Sequence, residues 1–380
     1  MNSKERVRAV LNHQQPDRFP IALEAQSEVM DILMGYFGLE KPKNDGSEKI
    51  VSFQSAVFGI EQENEIRRRL GVDVVIVATP TAPQTVGNWF GLPLIRRLPD
   101  GKLEGAWGII FREFQYPFGT YIEIDHAPLE GVDSYEKLAA HPKPDLDLYD
   151  FAALGEILPK YKDFYTVLNM NGCFDFARFM RGTEQFLLDL ALEPKKAEVL
   201  LDKVNEFAMD YLDRCMEKAG GMAEAVFCGD DFGSQKGLLI SPAMWRKYIK
   251  PRYKILIEHV HKHGLKYLHH SCGGIRPIIS DMVEIGTDIL NPIQPLAAGM
   301  DPQELGKEFG RDLVFYGGID EQHTLPYGTP QEVRSETRHC INTLGMYNGY
   351  IVSPSHAFQP DTPLENLLAM YTEVLGYKPT

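Results

Sequence analysis

The sequence lacks any long apolar run, and it contains only five cysteines among 380 residues. A membrane-spanning helix needs about 20 consecutive apolar residues, so this absence argues against a membrane protein. The cysteines are odd in number and widely scattered, so we expect thiols or a metal ligand rather than disulfides. The first 20 residues have a charged helical pattern without the apolar core of a secretory signal, and we therefore expect a cytoplasmic protein.

Positive charge is also scarce in this chain. Lysine and arginine number 39 against 53 acidic residues, which gives a formal net charge of −14. This balance argues against nucleic acid as a partner, because binding to phosphate backbones requires a basic surface. An acidic surface suits a basic patch on another protein, and solubility alone also explains it. The 44% hydrophobic content predicts a globular chain with a large core.

Short apolar segments alternate with helical segments along the chain. Eight segments are predicted as strands: residues 19–25, 72–80, 163–172, 223–233, 265–274, 287–294, 312–320 and 349–358. Eight strand–helix units are typical of a (β/α)8 TIM barrel. Length alone would suit two domains, but the unit count favours one α/β domain over residues 1–380. A doubly wound sheet is the alternative fold, yet no strand-to-helix turn carries its G-x-G-x-x-G fingerprint.

Residues 87–130 interrupt this alternation between the second and third strands. Two segments of period-2 alternation flank the sequence PFG at residues 117–119, and the dipeptide DG at residues 100–101 is a further turn signal. We predict a β-hairpin insertion after strand two, positioned to cover the mouth of the barrel.

Polar side chains collect at the predicted C-terminal ends of the strands. In a TIM barrel these ends, with the loops that follow them, form the mouth that carries the active site. The polar residues that fall there are Glu24, Asn169, Asn171, Asp230, Asp231, His270, Cys272, Asn291, Gln294, Asp320 and His356. Loops are polar in any protein, so this position alone does not define a site.

Three of these side chains have the donor atoms of a zinc site. His270 and Cys272 are two residues apart, and the alternation of an extended strand directs both to one side. His269 then faces the other side, where we expect it to be packed or hydrogen-bonded. Together with His356 from the eighth strand, they would leave a fourth position open, as in catalytic zinc sites. The alternatives are a buried free thiol at Cys272 and a loop or helix-capping histidine at His356.

Asp230 and Asp231 follow the fourth strand, and three roles stay open for them. Either could supply a fourth metal ligand, or hydrogen-bond a ligand histidine from behind. The third role is to cap the segment that follows.

Five longer motifs resemble the uroporphyrinogen decarboxylase superfamily. They are GDDFGSQKGLLISP (229–242), LHHSCGGI (268–275), LNPIQPLAAGMD (290–301), FYGGIDEQHTLPYGTP (315–330) and SPSHAFQPDTPLENLLAM (353–370). The opening segment KERVRAVLNHQQPDRFP is of the same type. The resemblance covers most of the chain, and the fold of that superfamily is the barrel that the strand count also predicts.

The superfamily has two branches with different chemistry. Its decarboxylases carry an arginine-containing segment after the first strand, which holds the carboxylates of the porphyrinogen. Here residues 23–26 read LEAQ, so a carboxylate replaces the cations. The other branch comprises cobamide-dependent methyltransferases, whose zinc is bound by an H-x-C pair and a late cysteine. His270 and Cys272 match the pair, whereas His356 stands at the late position.

Within the methyltransferase branch, one group transfers the methyl group of an aryl methyl ether to the cobalt of a corrinoid protein. Another group methylates coenzyme M. An imidazole ligand in place of a thiolate lowers the negative charge around zinc, which favours polarisation of an ether oxygen over activation of a thiol. The resemblance therefore implies an O-demethylase methyltransferase with zinc, a methylated aromatic substrate and a separate protein that carries corrinoid (cobalamin).

This interpretation assigns a role to each candidate residue. Zinc held by His270, Cys272 and His356 would polarise the ether oxygen while cobalt(I) attacks the methyl carbon. The candidate catalytic residues, which would orient a phenol hydroxyl or donate a proton, are Asp230, Asp231 and Glu24. The candidate substrate-binding residues are Asn169, Asn171, Gln294, Phe232 and Tyr316. A metal-free decarboxylase that uses Asp230 and His356 is one alternative, and a non-catalytic zinc- or corrinoid-binding protein is another.

Overall fold

The computed structural model describes residues 1–40, 50–51, 59–117 and 119–380. The strands are β1 (Ile50–Val51), β2 (Val74–Val77), β3 (Gly87–Trp89), β4 (Leu92–Arg97), β5 (Leu103–Gly105), β6 (Ile110–Tyr116), β7 (Gly119–His126), β8 (Tyr165–Asn171), β9 (Ala225–Gly229), β10 (Gly233–Ser234), β11 (Gly237–Leu238), β12 (Lys266–His270), β13 (Ile289–Ile293), β14 (Val314–Gly317) and β15 (Tyr350–Ile351). The helices are α1 (Ser3–Leu11), α2 (Ser27–Tyr36), α3 (Ile60–Arg69), α4 (Tyr135–Ala140), α5 (Phe151–Ile157), α6 (Cys173–Arg181), α7 (Thr183–Leu192), α8 (Pro194–Ala219), α9 (Pro242–Met244), α10 (Lys250–Lys262), α11 (Arg276–Glu284), α12 (Pro302–Phe309), α13 (Thr324–Tyr327), α14 (Pro330–Thr343) and α15 (Leu364–Leu375).

A parallel sheet forms the centre of the fold. Its seven strands follow the order β2-β8-β9-β12-β13-β14-β15, and each neighbouring pair is parallel. Single-residue parallel bridges join Ile21 to Val352, directly after β15, and Ala22 to Val74 in β2. The segment predicted as the first strand therefore contacts both edges of the sheet. The α/β class is confirmed, and the sheet curls into a TIM-barrel-like fold.

Apolar side chains fill the inside of the curled sheet. Val74, Leu268 and Val314 belong to one buried cluster, which also contains Val7 and Val10 of α1. Helix α1 therefore covers the end of the sheet at which the strands begin, which we call the closed end. The opposite end, formed by the residues that follow the strands, is the mouth.

A buried carboxylate holds the closed end together. Asp73 directly precedes β2 and is fully buried. Its carboxylate oxygens accept hydrogen bonds from Arg6 at 2.6 Å and from Arg18 at 2.7 Å. A third bond, of 2.9 Å, comes from the backbone N–H of Ile21. Asp73 thus joins α1, the segment after it and β2 through charge-assisted hydrogen bonds.

A second sheet contains the segment for which a hairpin was expected. Strands β3 to β7 lie within residues 87–130 and pair in sequence as antiparallel neighbours. Strand β1 adds to this sheet by parallel pairing with β3, which gives six strands in all. The turn predicted at residues 117–119 includes Phe118, which lies outside the described residues.

The helical segment that begins after Ser241 is interrupted before α10. Ser241 caps its start, since its hydroxyl accepts a hydrogen bond from Met244 N–H. A π-helical turn at Trp245–Ile249 then separates α9 from α10. Pro251 in the first turn of α10 explains the break, because proline cannot donate a backbone hydrogen bond to the preceding turn. Among the described residues, no helix combines the length and apolar composition needed to cross a bilayer.

Candidate metal centre and substrate cavity

His270, Cys272 and His356 meet at the mouth. His270 ends β12, Cys272 lies in the loop after it, and His356 follows β15. The Cys272 sulfur lies 3.6 Å from His270 Nε2, and one ligand atom from each of the three residues lies within 4.8 Å of the others. The ring centroids of the two histidines are 5.6 Å apart. One sulfur and two nitrogens are thus close enough to bind a common ion.

The orientation of the His270 ring is fixed from behind. Its Nδ1 is 2.6 Å from the side-chain oxygen of Asn291, which sits directly across from His270 in the pairing of β12 with β13. Because an amide oxygen only accepts, Nδ1 carries the proton and Nε2 presents its lone pair to the mouth. Sequence reasoning placed Asn291 at a strand end but gave it no role.

Asp231 and Gln294 hold the loop that contains Cys272. Asp231 Oδ1 accepts a hydrogen bond of 2.7 Å from Cys272 N–H and lies 3.9 Å from His270 Nε2. Gln294 Oε1 accepts a bond of 2.8 Å from Gly273 N–H. Gly273 has a φ of +83°, and a Cβ there would lie 2.5 Å from the backbone nitrogen of Ser234. The glycine is therefore required for this loop to pack beside the ligand atoms.

The donor set fits a divalent cation. Burial raises the pKa of the Cys272 thiol well above its usual value, and Asp231 and Glu321 add to the effect. Burial lowers the pKa of His356 to about 4, so that its imidazole is neutral and has a lone pair to offer. A thiolate in these acidic surroundings needs a positive charge beside it, which a bound cation provides.

Asp230 lies outside this group of ligand atoms. It is buried, and its carboxylate accepts hydrogen bonds from the N–H groups of Phe174 and Asp175 and from the hydroxyl of Tyr253. These contacts cap the N-terminus of α6. Burial and the neighbouring Asp175 raise the pKa of Asp230. Asp230 thus caps a helix that precedes it in the chain and not the segment that follows it, which was the expected capping role, whereas Asp231 lies beside the candidate ligands.

Phe232 does not line the mouth, contrary to the expectation. It is fully buried and stacks on His269 with ring centroids 5.0 Å apart, with Trp245 and Tyr253 at its edges. The chain turns into the core after Asp231, and the ring fills the space beside α10. His269 faces away from the mouth as expected, with its Nδ1 at 3.1 Å from the Tyr267 hydroxyl.

The two asparagines of β8 contact the second sheet region instead of a large cavity. Asn169 donates a hydrogen bond of 3.1 Å to the backbone oxygen of Phe90. Asn169 and Asn171 both line a space of only about 20 Å³. Asn169 therefore ties the loop between β3 and β4 to the parallel sheet, and this space is too small for a substrate.

A cavity of about 500 Å³ lies between the mouth and the second sheet. Its aromatic lining consists of Trp89, Phe90, Phe114, Tyr116, Tyr121 and Tyr316. Glu24 also lines it, and Glu24 Oε1 is buried with no hydrogen-bond partner among the described residues. Burial raises the pKa of Glu24, and the neighbouring Tyr316 hydroxyl and His270 partly offset that rise. Glu24 thus connects the cavity with the candidate metal centre.

Positive charge is scarce in this cavity. Among the described lining residues, Arg67 is the cation, and it donates hydrogen bonds to Glu63 at 2.9 Å and to Asn64 at 3.0 Å. The lining carboxylates are Glu24, Glu28, Glu63 and Glu123. The described part of the cavity therefore suits an uncharged aromatic molecule better than a polyanion.

Sequence reasoning selected Asp320 after β14 and missed its neighbour Glu321. Asp320 accepts hydrogen bonds from the backbone N–H groups of residues 322–324, which is a turn-capping role. Glu321 has a buried carboxylate oxygen without a partner among the described residues. Burial raises its pKa to about 8, and the negative charge of Glu24 adds to that rise. The sequence indicated only that both acids follow a predicted strand. That position does not show which of Asp320 and Glu321 faces the mouth.

The chain is similar to proteins of one family. The family model for uroporphyrinogen decarboxylase (URO-D) matches residues 113–377. A methylated-thiol–coenzyme M methyltransferase from Methanosarcina mazei is 24% identical over 218 residues, 57% of this chain and 55% of that protein. A methylcobamide:CoM methyltransferase from Methanosarcina barkeri is 26% identical over 174 residues, 46% of this chain and 47% of that protein.

Decarboxylases are also similar to the chain. A uroporphyrinogen decarboxylase from Thermus thermophilus is 28% identical over 172 residues, 44% of this chain and 45% of that protein. The chain thus spans about half the length of these curated relatives. A solved structure of a methyltransferase from Methanosarcina mazei superposes with a TM-score of 0.70 at 18% identity, covering 99% of each chain. That likeness supports the TIM-barrel-like fold of the described residues and shows the fold alone.

Proposed function

The chain belongs to the uroporphyrinogen decarboxylase family, and we propose that it is a methyltransferase of that family. It transfers a methyl group from a small methylated substrate to the cobalt of a corrinoid that a separate protein carries. Two relatives named as methyltransferases support this proposal. The observation that carries it is the meeting of His270, Cys272 and His356 close to Glu24, which lines an aromatic cavity.

The proposal includes the complete barrel as a single domain. Residues 19–25 would be the first of eight strands, which the bridges of Ile21 and Ala22 to the two edges of the sheet support. Strands β3 to β7 would then be an insertion in that domain, placed over the mouth because Trp89, Phe114 and Tyr121 line the same cavity as Glu24.

Zinc is the ion proposed for the candidate metal centre. His270 Nε2, the Cys272 sulfur and His356 would hold it, and a bound zinc ion supplies Lewis-acid stabilisation to an oxygen-centred leaving group. Asn291 keeps His270 in the tautomer that leaves Nε2 available. Asp231 and Gln294 keep the Cys272 loop in place.

The favoured methyl donor is an aryl methyl ether. When its methyl carbon passes to cobalt(I), the carbon–oxygen bond breaks and the electron pair stays on the phenol oxygen. Aromatic side chains of the cavity provide the apolar walls that a planar ring prefers. Glu24 and Tyr316 both line the cavity, so they can accept a hydrogen bond from a phenol hydroxyl or pass a proton to the phenolate.

Two other activities in the family fit the described cavity less well. Uroporphyrinogen carries many carboxylates, whereas the described lining has one arginine that is already paired with Glu63. Coenzyme M carries a sulfonate, to which the same argument applies. A histidine at position 356 also argues against activation of a thiol substrate. A second thiolate ligand would raise the electron density on zinc and favour a reactive thiolate, whereas an imidazole ligand does not.

Methyl transfer to free cob(I)alamin tests the proposal without the unidentified corrinoid protein. Purified protein is mixed with cob(I)alamin and a neutral methoxyphenol, a methoxybenzoate or a methylated thiol. In a separate assay it is mixed with methylcobalamin and coenzyme M, and the loss of methylcobalamin absorbance is followed. We expect the absorbance of methylcobalamin to develop fastest with the methoxyphenol. Turnover only of the thiol donors would move the assignment to a thiol methyltransferase, and failure of every donor would favour a binding role. Decarboxylation of uroporphyrinogen by metal-free protein would overturn the proposal.

A further inference from the structure

A second group of metal-ligand side chains lies on the outer surface, far from the mouth. Asp213 projects from α8, and His259 and His263 lie at the C-terminal end of α10. Helix α10 leads directly into the start of β12, so its C-terminal end lies at the closed end of the sheet. The two histidines are four residues apart, a spacing that places both on one face of a helix.

The three side chains converge on one point. Asp213 Oδ1 lies 2.8 Å from His259 Nε2 and 2.7 Å from His263 Nε2. The two ring centroids are 5.1 Å apart at an interplanar angle of 80°. One ligand atom from each residue lies within 4.8 Å of the other two. Two imidazole nitrogens on one helical face, four residues apart, form the spacing that zinc-binding helices use.

We propose that Asp213, His259 and His263 form a second binding site for a divalent transition-metal cation, which links α8 to α10. Zinc accepts two imidazole nitrogens and one carboxylate oxygen, and water completes its coordination at a surface position. The cation replaces the Nε2 protons that the histidines otherwise direct at Asp213, and those protons pass to solvent. The site shares no residue with the candidate metal centre at the mouth, so it does not depend on the proposed function.

The same helix contains a matched control. His261 also pairs with a carboxylate, since its Nε2 lies 2.8 Å from Asp288 Oδ2. It resembles His263 in residue type, exposure and pairing with an aspartate, but no second histidine reaches Asp288 among the described residues. Both positions therefore contain a pairing between a histidine and an aspartate. Of the two aspartates, Asp213 is the one that a second histidine also contacts.

Calorimetric titration of ZnCl₂ into chelator-treated protein tests the inference. We expect about two zinc ions per wild-type chain, one at each site. His263→Ala and Asp213→Asn should each lose one equivalent, and His261→Ala should lose none. Cys272→Ala should lose the other equivalent and retain the surface one, which separates this inference from the proposal for the mouth. All these side chains are at least partly exposed, and circular dichroism of each variant verifies folding.

The outcomes are distinct. Loss of one equivalent in both His263→Ala and Asp213→Asn, with His261→Ala unchanged, supports the site. Undiminished binding in either of those two variants would show that Asp213, His259 and His263 form only hydrogen bonds between the helices. An equal loss in His261→Ala would show that zinc binds to exposed histidines in general, which also overturns the inference.

Discussion

Two buried carboxylates, one at each end of the curled sheet, have opposite surroundings. At the closed end, Asp73 is fully buried and accepts hydrogen bonds from two arginines and one backbone N–H. At the mouth, Glu24 is also buried but one of its oxygens has no partner among the described residues. Buried polar groups are normally satisfied, so the unpartnered oxygen of Glu24 supports the proposal that a ligand binds at the mouth.

The comparison also separates stability from function. At the closed end, the partners of the Asp73 carboxylate come from the chain itself, so these contacts contribute to the stability of the fold. At the mouth, Asn291 and Asp231 hold His270 and Cys272 in position, and Glu24 lines the cavity. We therefore expect substitutions at the closed end to change the free energy of unfolding, and substitutions at the mouth to change metal binding and turnover.

The largest effect on activity is expected for Cys272→Ala. Loss of the thiolate should abolish zinc binding at the mouth, and since a Lewis-acid metal supplies several kcal/mol to a transition state, methyl transfer should fall roughly a thousand-fold. Zinc content and the rate of methylcobalamin formation are the measurements.

Cys228→Ala is the matched control for that variant. Cys228 lies on the neighbouring strand β9 but is fully buried in the core, so its loss should lower stability modestly and leave zinc at the mouth unchanged. Equal zinc content in the Cys272→Ala and wild-type proteins at that site would remove the thiol from the proposed ligand set.

The largest effect on stability is expected for Asp73→Ala. The variant leaves the guanidinium of Arg6 with 9% side-chain exposure and without its buried partner, a change that typically costs about 3–5 kcal/mol. The midpoint of urea-induced unfolding should fall accordingly. The zinc content of the folded protein should stay unchanged, because Asp73 lies at the end opposite the mouth. A wild-type midpoint, or a loss of zinc from folded protein, would contradict the assignment of stability to the closed end and of metal binding to the mouth.

A smaller effect is expected for Asn291→Ala, which removes the support behind His270. Loss of a group that orients a metal ligand usually weakens metal binding by about 10–100-fold. Competition between the protein and a zinc indicator measures the affinity, and Asn291→Asp, which keeps an acceptor oxygen, should restore most of it. Wild-type affinity in the alanine variant would mean that the orientation of His270 does not depend on this bond.

Parts of the fold and site follow from local patterns in the sequence. Alternation along an extended strand was sufficient to place His270 and Cys272 on one side and His269 on the other. The order of the strands was sufficient to place Glu24 and His356 at the same end, although they are far apart in the sequence. These inferences succeed because a strand has a fixed period and because parallel strands end at one edge of a sheet.

Other features depend on pairing between distant segments, which no local pattern contains. The role of Asn291 follows from its register opposite His270. The role of Asp230 follows from the start of α6, more than 50 residues earlier in the chain. Phe232 is aromatic and follows a strand, and only the packing of α10 decides that it lies in the core.

The smallest effect is expected for Asp17→Asn at the closed end. Asp17 binds Arg6 at 2.7 Å and the N-terminal amine at 2.9 Å, but its side chain is 44% exposed, so water screens the pair and the cost should stay below about 1 kcal/mol. The hydrogen bond from Arg6 is the main cause that lowers the pKa of Asp17 below the usual 3.8. A lowered pKa in the folded state means that the contribution is present above pH 3.8 and disappears as the pH falls through the folded-state value. Unfolding free energies of the two proteins should therefore differ slightly at pH 7 and converge in acid. A cost as large as that of Asp73→Ala would mean that exposure does not weaken this ion pair, and burial would no longer explain why Asp73 dominates the closed end.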